Sequence, residues 1–158
     1  MGNIFSGSEI LEIGVQIEKN GRDFYDTLAK QVKNPKAQGI FGFLAQEEEK
    51  HIVVFQNLLG SIEKHEPPES YAGEYSAYMN ALAKEYIFTQ EDKGGYIARS
   101  IKTDSEAVRI GIGFEKDSII FYEGLKKMVP EYDLKVVSRL IAQEQKHLIQ
   151  LTELRESL

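Results

Sequence analysis

The feature that most constrains this chain is a pair of Glu-x-x-His motifs, Glu48-x-x-His51 and Glu144-x-x-His147, which lie ninety-six residues apart. On a helix, residues three apart lie on the same face. Each motif interrupts an apolar stripe of helical period, so its carboxylate and imidazole are predicted to face the interior of a helical protein. One such pair is compatible with an ordinary core histidine beside a helix-edge glutamate. Two pairs with the same spacing and flanks favour a shared function.

Two further glutamates, Glu18 and Glu115, also fall on apolar stripes, upstream of the two motifs. Each begins the pattern Glu-Lys-x-x-x-x-Phe-Tyr-x-x-Leu. The chain is therefore interpreted as one helical hairpin used twice.

Four long helices are predicted from start and stop signals. Asn34 is a good N-cap in front of Pro35, Gly60 is a helix stop, and Thr103 with Glu106 has capping-box spacing. The predicted helices run from a cap at Ser6 or Ser8 to about Val32, from Pro35 to Leu59, from Thr103 to about Met128, and from about Tyr132 to near the C-terminus.

Residues 61–103 form a crossover of forty-three residues that contains Pro67-Pro68 and Gly94-Gly95. That is too long for a plain loop in a compact domain. Apolar residues at helical spacing predict a short helix near 74–88. His65 is interpreted as an exposed loop residue and not as a ligand.

The hairpin geometry predicts a single site. Glu18 lies sixteen residues before Asn34 and Glu48 fourteen after it. In an antiparallel hairpin this imbalance amounts to roughly 3 Å of height. The second hairpin has nearly the same counts, so four carboxylates and two imidazoles should meet. Buried carboxylates need compensation, and the stripes carry no Lys or Arg for it. Two metal ions would supply it, and this donor set suits iron or manganese better than zinc or copper.

Composition narrows the function classes. The chain has 158 residues, which predicts one domain over residues 1–158. The net charge is −6 without a basic cluster, so a nucleic-acid partner is not expected. There is no cysteine and therefore no thiolate site. No apolar stretch reaches membrane-spanning length and no secretory signal is seen, so a cytoplasmic location is expected.

With its duplicated hairpin motifs, the long crossover and the Glu-Lys-Asp-Ser-Ile-Ile-x-Tyr stretch from Glu115 to Tyr122, the chain resembles the rubrerythrin branch of the ferritin-like superfamily. The resemblance implies an all-α, ferritin-like four-helix bundle with a catalytic pair of iron ions, or of manganese or mixed metals. It implies the following roles: Glu18 and Glu115 as terminal or semi-bridging ligands, Glu48 and Glu144 as bridging ligands, and His51 and His147 as one ligand to each metal.

The resemblance also leaves a question about two aromatic residues and shows two departures. Tyr25 and Tyr122 either hydrogen-bond the ligands from behind or are core aromatics whose hydroxyls reach any acceptor.

Without cysteines the chain lacks the rubredoxin-type iron site, so electrons must come from an external donor protein such as a rubredoxin. The extra glutamate that the family carries on its third helix is replaced by Ser118, with Asp117 rotated away. Glu47 and Glu49 are assigned to a solvated face.

The implied activity is reduction of hydrogen peroxide or dioxygen by an oxidoreductase that protects against oxidative stress. Two alternatives stay open: a ferroxidase that handles iron, and a metal-binding or structural helical bundle without turnover. A homodimer is expected, since the long crossover would allow hairpins to be exchanged between chains. No membrane partner is expected.

Overall fold

The computed structural model describes residues 7–65, 73–85 and 90–158, and within these ranges the regular structure is entirely helical. The predicted all-α fold is therefore confirmed. The described residues form six α-helices, which are in chain order α1 Gly7–Gln31, α2 Pro35–His65, α3 Glu74–Glu85, α4 Lys93–Ser100, α5 Asp104–Leu125 and α6 Leu134–Ser157.

The four long helices form the predicted pair of hairpins. Helix α1 packs most extensively against α2, and α5 against α6; the hairpins meet where α2 borders α6 and α1 borders α5. Their apolar stripes interlock in a core rich in buried aromatic rings, which include Phe24, Phe41, Phe55, Phe114 and Phe121. Four helices that each bury one stripe form a bundle with a single central axis, and this axis is where the polar interruptions of the stripes meet.

The predicted caps are present at two helix starts. Asn34 Oδ1 accepts from the backbone N–H of Lys36 at 2.9 Å, so the restart at Pro35 has its expected cap. Thr103 Oγ1 accepts from the N–H of Glu106 at 3.1 Å. The Asp104 carboxylate then accepts from the N–H of Asn34 at 2.9 Å. This last bond ties the turn of the first hairpin to the start of the second.

Helix α2 does not stop at Gly60, and this prediction was wrong. The helix continues to His65 because its apolar stripe continues: Ile62 is buried and lies against Gly7 of α1. Burial of Ile62 outweighs the modest cost of a glycine inside a helix. His65 is consequently helical in its backbone and not a loop residue. Of the two proposed caps of α1, Ser6 lies outside the described residues and Ser8 lies inside the helix.

In its described part, the crossover contains two helices where one was predicted. Helix α3 matches the predicted helix as far as Glu85, and residues 86–88 lie outside the described residues. Helix α4 was missed because Gly94-Gly95 looked like a break. Gly94 allows α4 to pack closely against α1, since a Cβ at this position would lie 1.9 Å from the carbonyl oxygen of Asn20. Asn20 Oδ1 accepts from Gly94 N–H at 3.1 Å and fixes this docking.

The second hairpin turns within slightly different bounds from those predicted. Helix α5 ends at Leu125 and not at Met128, and a 3-10 turn at Glu131–Asp133 precedes α6. No helix in the described ranges combines the length and apolarity needed to cross a bilayer.

Candidate metal centre

Six polar side chains from the four long helices meet on the axis of the bundle. Glu18 comes from α1, Glu48 and His51 from α2, Glu115 from α5, and Glu144 and His147 from α6. The four carboxylates are fully buried, and the imidazole residues are at most 2% exposed. The structure thus brings together all six residues that were predicted to form the site; their role as ligands stays a prediction.

The six residues form two overlapping groups, each able to hold an ion. One consists of Glu18, Glu48, His51 and Glu144, and the other of Glu48, Glu115, Glu144 and His147. Within each group, one potential ligand atom per residue lies within 4.8 Å of all the others. Glu48 and Glu144 belong to both groups. This is the arrangement expected for two adjacent metals joined by two carboxylates.

Both imidazoles present Nδ1 to the carboxylates. His51 Nδ1 lies 3.1 Å from Glu144 Oε1 and 3.4 Å from an oxygen of Glu18. His147 Nδ1 lies 2.9 Å from Glu144 Oε2 and 3.4 Å from Glu48 Oε1. The two rings are stacked, with centroids 5.6 Å apart and planes inclined by 19°. The Nδ1 atoms of both rings therefore point toward the same cluster of carboxylate oxygens.

Several of these buried atoms have no hydrogen-bond partner among the described residues. They are Glu18 Oε2, both oxygens of Glu48, Glu115 Oε2, Glu144 Oε1 and His51 Nδ1. Unsatisfied buried carboxylate oxygens are costly. Among the described residues, no Lys or Arg forms an ion pair with them. Oxygen and nitrogen donors that converge without a partner fit a pair of hard or borderline cations.

The protonation pattern of the cluster follows from burial and mutual repulsion. Burial, reinforced by the charges of Glu48 and Glu144, raises the pKa of the Glu18 carboxyl well above its usual value. Burial and the charge of Glu144 do the same to the pKa of Glu115.

The pKa shifts of the two imidazoles and of the two shared carboxylates favour the charged forms of these groups. Burial alone would lower the pKa of His147, but its contacts with Glu115, Glu144 and Glu48 outweigh burial and raise that pKa to about 12. The pKa of His51 is raised by the same balance. Burial opposes ionisation of Glu48 and Glu144, yet short contacts with the imidazoles lower the pKa of both. Burial and mutual repulsion thus favour the protonated forms of Glu18 and Glu115, whereas the contacts between carboxylates and imidazoles favour the charged forms of the other four groups.

Tyr25 and Tyr122 hydrogen-bond the cluster from behind, in a crossed arrangement. The hydroxyl of Tyr25, on α1, donates to Glu115 Oε1 of α5 at 2.5 Å. The hydroxyl of Tyr122, on α5, donates to Glu18 Oε1 of α1. Each tyrosine thus binds the glutamate of the other hairpin. Both rings are also fully buried in the core. Each tyrosine is therefore both a core aromatic residue and a hydrogen-bond donor to a carboxylate of the cluster.

The position of the missing third-helix glutamate is occupied by buried Ser118. Asp117 does not replace it, since its side chain lines a small cavity of about 70 Å³ with Leu82, Glu85, Ile120 and Phe121. Glu49 is 57% exposed, as expected for a solvated face. Glu47 is only 15% exposed, so its assignment to the same face was wrong.

One residue at the site, Gln143, was not predicted from the sequence. Gln143 Oε1 lies 2.9 Å from Nε2 of His51, on the side of the ring that faces away from the carboxylates. Its direct neighbour in sequence is Glu144. Spacing could have indicated this contact only if the relative rotation of α2 and α6 had been known.

With this geometry in place, comparison with known proteins decides the family. The sequence model of the rubrerythrin family matches residues 9–155. The chain belongs to the rubrerythrin family. Among solved structures, it is similar over 99% of its length to a Thermotoga maritima protein that carries the provisional description of a ferritin-like diiron-carboxylate protein, with a TM-score of 0.74 and 27% sequence identity over 98% of that chain. No curated protein sequence matches significantly.

The rubrerythrin match and the T. maritima neighbour confirm the ferritin-like class of the bundle. Together with the buried cluster of four glutamates and two histidines, they indicate a metal-binding site of the diiron-carboxylate type.

Proposed function

We propose that this rubrerythrin-family protein is a non-haem diiron oxidoreductase that reduces hydrogen peroxide, or dioxygen, with electrons from an external donor protein. The observation that carries the proposal is the pair of overlapping four-residue groups that share Glu48 and Glu144. Such a pair has room for two metals side by side, and a two-electron reduction of an O–O bond needs two one-electron donors.

Within this proposal, Glu18 and His51 would hold one metal, Glu115 and His147 the other, and Glu48 and Glu144 would bridge them. Two bound iron ions would supply Lewis acidity and one electron each. The protein's own residues keep the donor set rigid, since every ligand lies on a long helix whose core face is buried. The aromatic walls around Tyr25 and Tyr122, built from Phe41 and Phe55, exclude bulk water.

Each outer carboxylate of the cluster is held by a tyrosine. Tyr122 and Tyr25 hold O–H groups on the outer carboxylates, Glu18 and Glu115. A metal-bound carboxylate is ionised, so in the loaded protein these hydroxyls would stabilise the charge of the two ligands and hold their orientation.

The decisive experiment is metal analysis of protein produced with iron, combined with absorption spectra before and after peroxide under anaerobic conditions. About two irons per chain are expected, and the reduced protein should be reoxidised by peroxide much faster than by buffer alone. Redox silence with two irons bound would overturn the peroxidase proposal and favour a binding protein. Rapid oxidation of added ferrous iron beyond two per chain would favour the ferroxidase alternative.

A further inference from the structure

Gln143 contacts one of the two cluster histidines from outside the cluster. Its side-chain oxygen lies 2.9 Å from His51 Nε2, across the seam between α6 and α2. Glu144, the next residue, faces the cluster and lies in both groups of potential ligands. One short segment of α6 therefore supplies a shared carboxylate to the cluster and an amide to the histidine opposite.

The hydrogen bond keeps a hydrogen on Nε2 of His51, both in the charged ring of the metal-free protein and in the neutral ring that would bind a metal. An amide oxygen can only accept, so Nε2 of His51 must carry the hydrogen. In a neutral imidazole the lone pair is then on Nδ1, the atom that lies 3.1 Å from Glu144 Oε1. A histidine that donates its outer N–H in this way is held in one ring orientation and becomes a better metal ligand.

The position of the first hairpin that matches Gln143 carries a different residue type. The ninety-six-residue offset that relates His51 to His147 also relates Glu47 to Gln143. Glu47 is a carboxylate, and its Oε1 is engaged by the ammonium of Lys50 at 2.6 Å. The two halves of the site thus share every proposed ligand type but differ at this matched position, which carries Gln143 in one half and Glu47 in the other.

We propose that Gln143 is a positioning residue for metal binding that acts on the His51 half of the site alone, so that the two metal positions are inequivalent. The inference rests on metal binding by the cluster, which is part of the function proposed above. The inference goes beyond the proposed function because it names a residue that affects only one of the two metal positions.

The test is a titration of the metal-free chain with Co²⁺ in competition with a chromophoric chelator, which yields a binding constant for each of the two ions. Gln143→Leu removes the acceptor at similar volume, Gln143→Glu keeps an acceptor, and Gln145→Leu on the exposed side of α6 is the matched control. Gln143→Leu should weaken one of the two constants about 10- to 100-fold and leave the other unchanged. Gln143→Glu should restore the lost affinity, and the control should match wild type.

A second readout does not depend on affinity. In the Zn²⁺-loaded protein, nitrogen-proton NMR should show a His51 Nε2–H signal shifted downfield by its hydrogen bond, and Gln143→Leu should remove that shift. Circular dichroism of the metal-free variants checks folding, and Gln143→Ala replaces the leucine variant if the latter does not fold.

The outcomes distinguish the two proposals. Two Co²⁺ ions bound by Gln143→Leu as tightly as by wild type, with the His51 Nε2–H signal still at its wild-type position, would overturn the role of Gln143 and leave the metal centre intact. Equal weakening of both ions would overturn the inequivalence. Absence of metal binding by the wild-type chain would overturn the proposed function, and this inference with it.

Discussion

The hydroxyl of Tyr25 donates a 2.5 Å hydrogen bond to Glu115 Oε1, ninety residues away in the other hairpin. Tyr122 makes the reciprocal bond to Glu18. The two bonds cross between α1 and α5, helices that otherwise share few contacts. They therefore couple the packing of the hairpins to the geometry of the outer carboxylates, and this coupling can be measured.

Replacement of Tyr25 by Phe should destabilise the metal-free protein and weaken metal binding. The buried Glu115 oxygen loses its donor, which costs about 1–3 kcal/mol of unfolding free energy. The loss of an outer-shell partner should also weaken metal affinity about tenfold or more. Urea denaturation and metal competition measure the two effects. Tyr96→Phe is the control, because Tyr96 is 63% exposed. Unchanged values for Tyr25→Phe would show that the bond is incidental.

Glu18→Gln should separate stability from metal binding. Burial and its charged neighbours raise the pKa of Glu18, which favours the uncharged carboxyl in the metal-free protein, and an amide resembles that form. The free energy of unfolding without metal should stay within about 1 kcal/mol of wild type, or rise. Metal stoichiometry should fall below two per chain. Glu12→Gln, on the exposed side of α1, serves as control. Full metal loading of Glu18→Gln would contradict the ligand assignment.

The metal-free protein should become less stable as pH rises from about 6 to 9. Burial raises the pKa of Glu18 and Glu115, and carboxylate contacts raise the pKa of His51 and bring that of His147 to about 12. In the unfolded chain these groups release their protons at ordinary values. The folded state therefore holds more protons, and its stability falls as pH rises through this window.

Metal should abolish most of this pH dependence, because it replaces the same protons. Loading at neutral pH should release protons from the cluster residues whose pKa is raised in the metal-free protein. Denaturation at both ends of the pH range, with and without chelator, measures the pH dependence of stability. A pH-stat measures the protons released on metal loading. Loading without proton release would contradict the charge pattern derived for the cluster.

Gly94→Ala should undock α4 from α1. The new Cβ would lie 1.9 Å from the carbonyl oxygen of Asn20, and a backbone atom cannot move aside as a flexible side chain can. Destabilisation of about 2 kcal/mol or more is expected. Gly42→Ala is the control: this glycine lies inside α2 with no atom near the added methyl group, so the substitution should stabilise by about 0.5–1 kcal/mol. Equal effects of the two substitutions on the melting temperature would contradict the close packing.

Local sequence signals predicted much of the fold, because the features that determine it are local. The apolar stripes gave the four long helices, and Asn34 and Thr103 gave the starts of α2 and α5. These signals failed where tertiary contacts won. Gly60 lies inside a helix because Ile62 is buried beyond it. Gly94 lies in the first turn of α4, where the backbone of Asn20 packs closely against it.

For the site, the sequence by itself determined which residues meet: a carboxylate or imidazole on an apolar stripe must be buried, and equal distances from each turn place these groups at one height. Only the tertiary structure decided how they meet. The crossed bonds of Tyr25 and Tyr122, and the contact of Gln143 with His51, depend on how each helix is rotated about its own axis against its neighbour. That rotation is set by the packing of side chains from all four helices at once, and no single segment of the chain contains it.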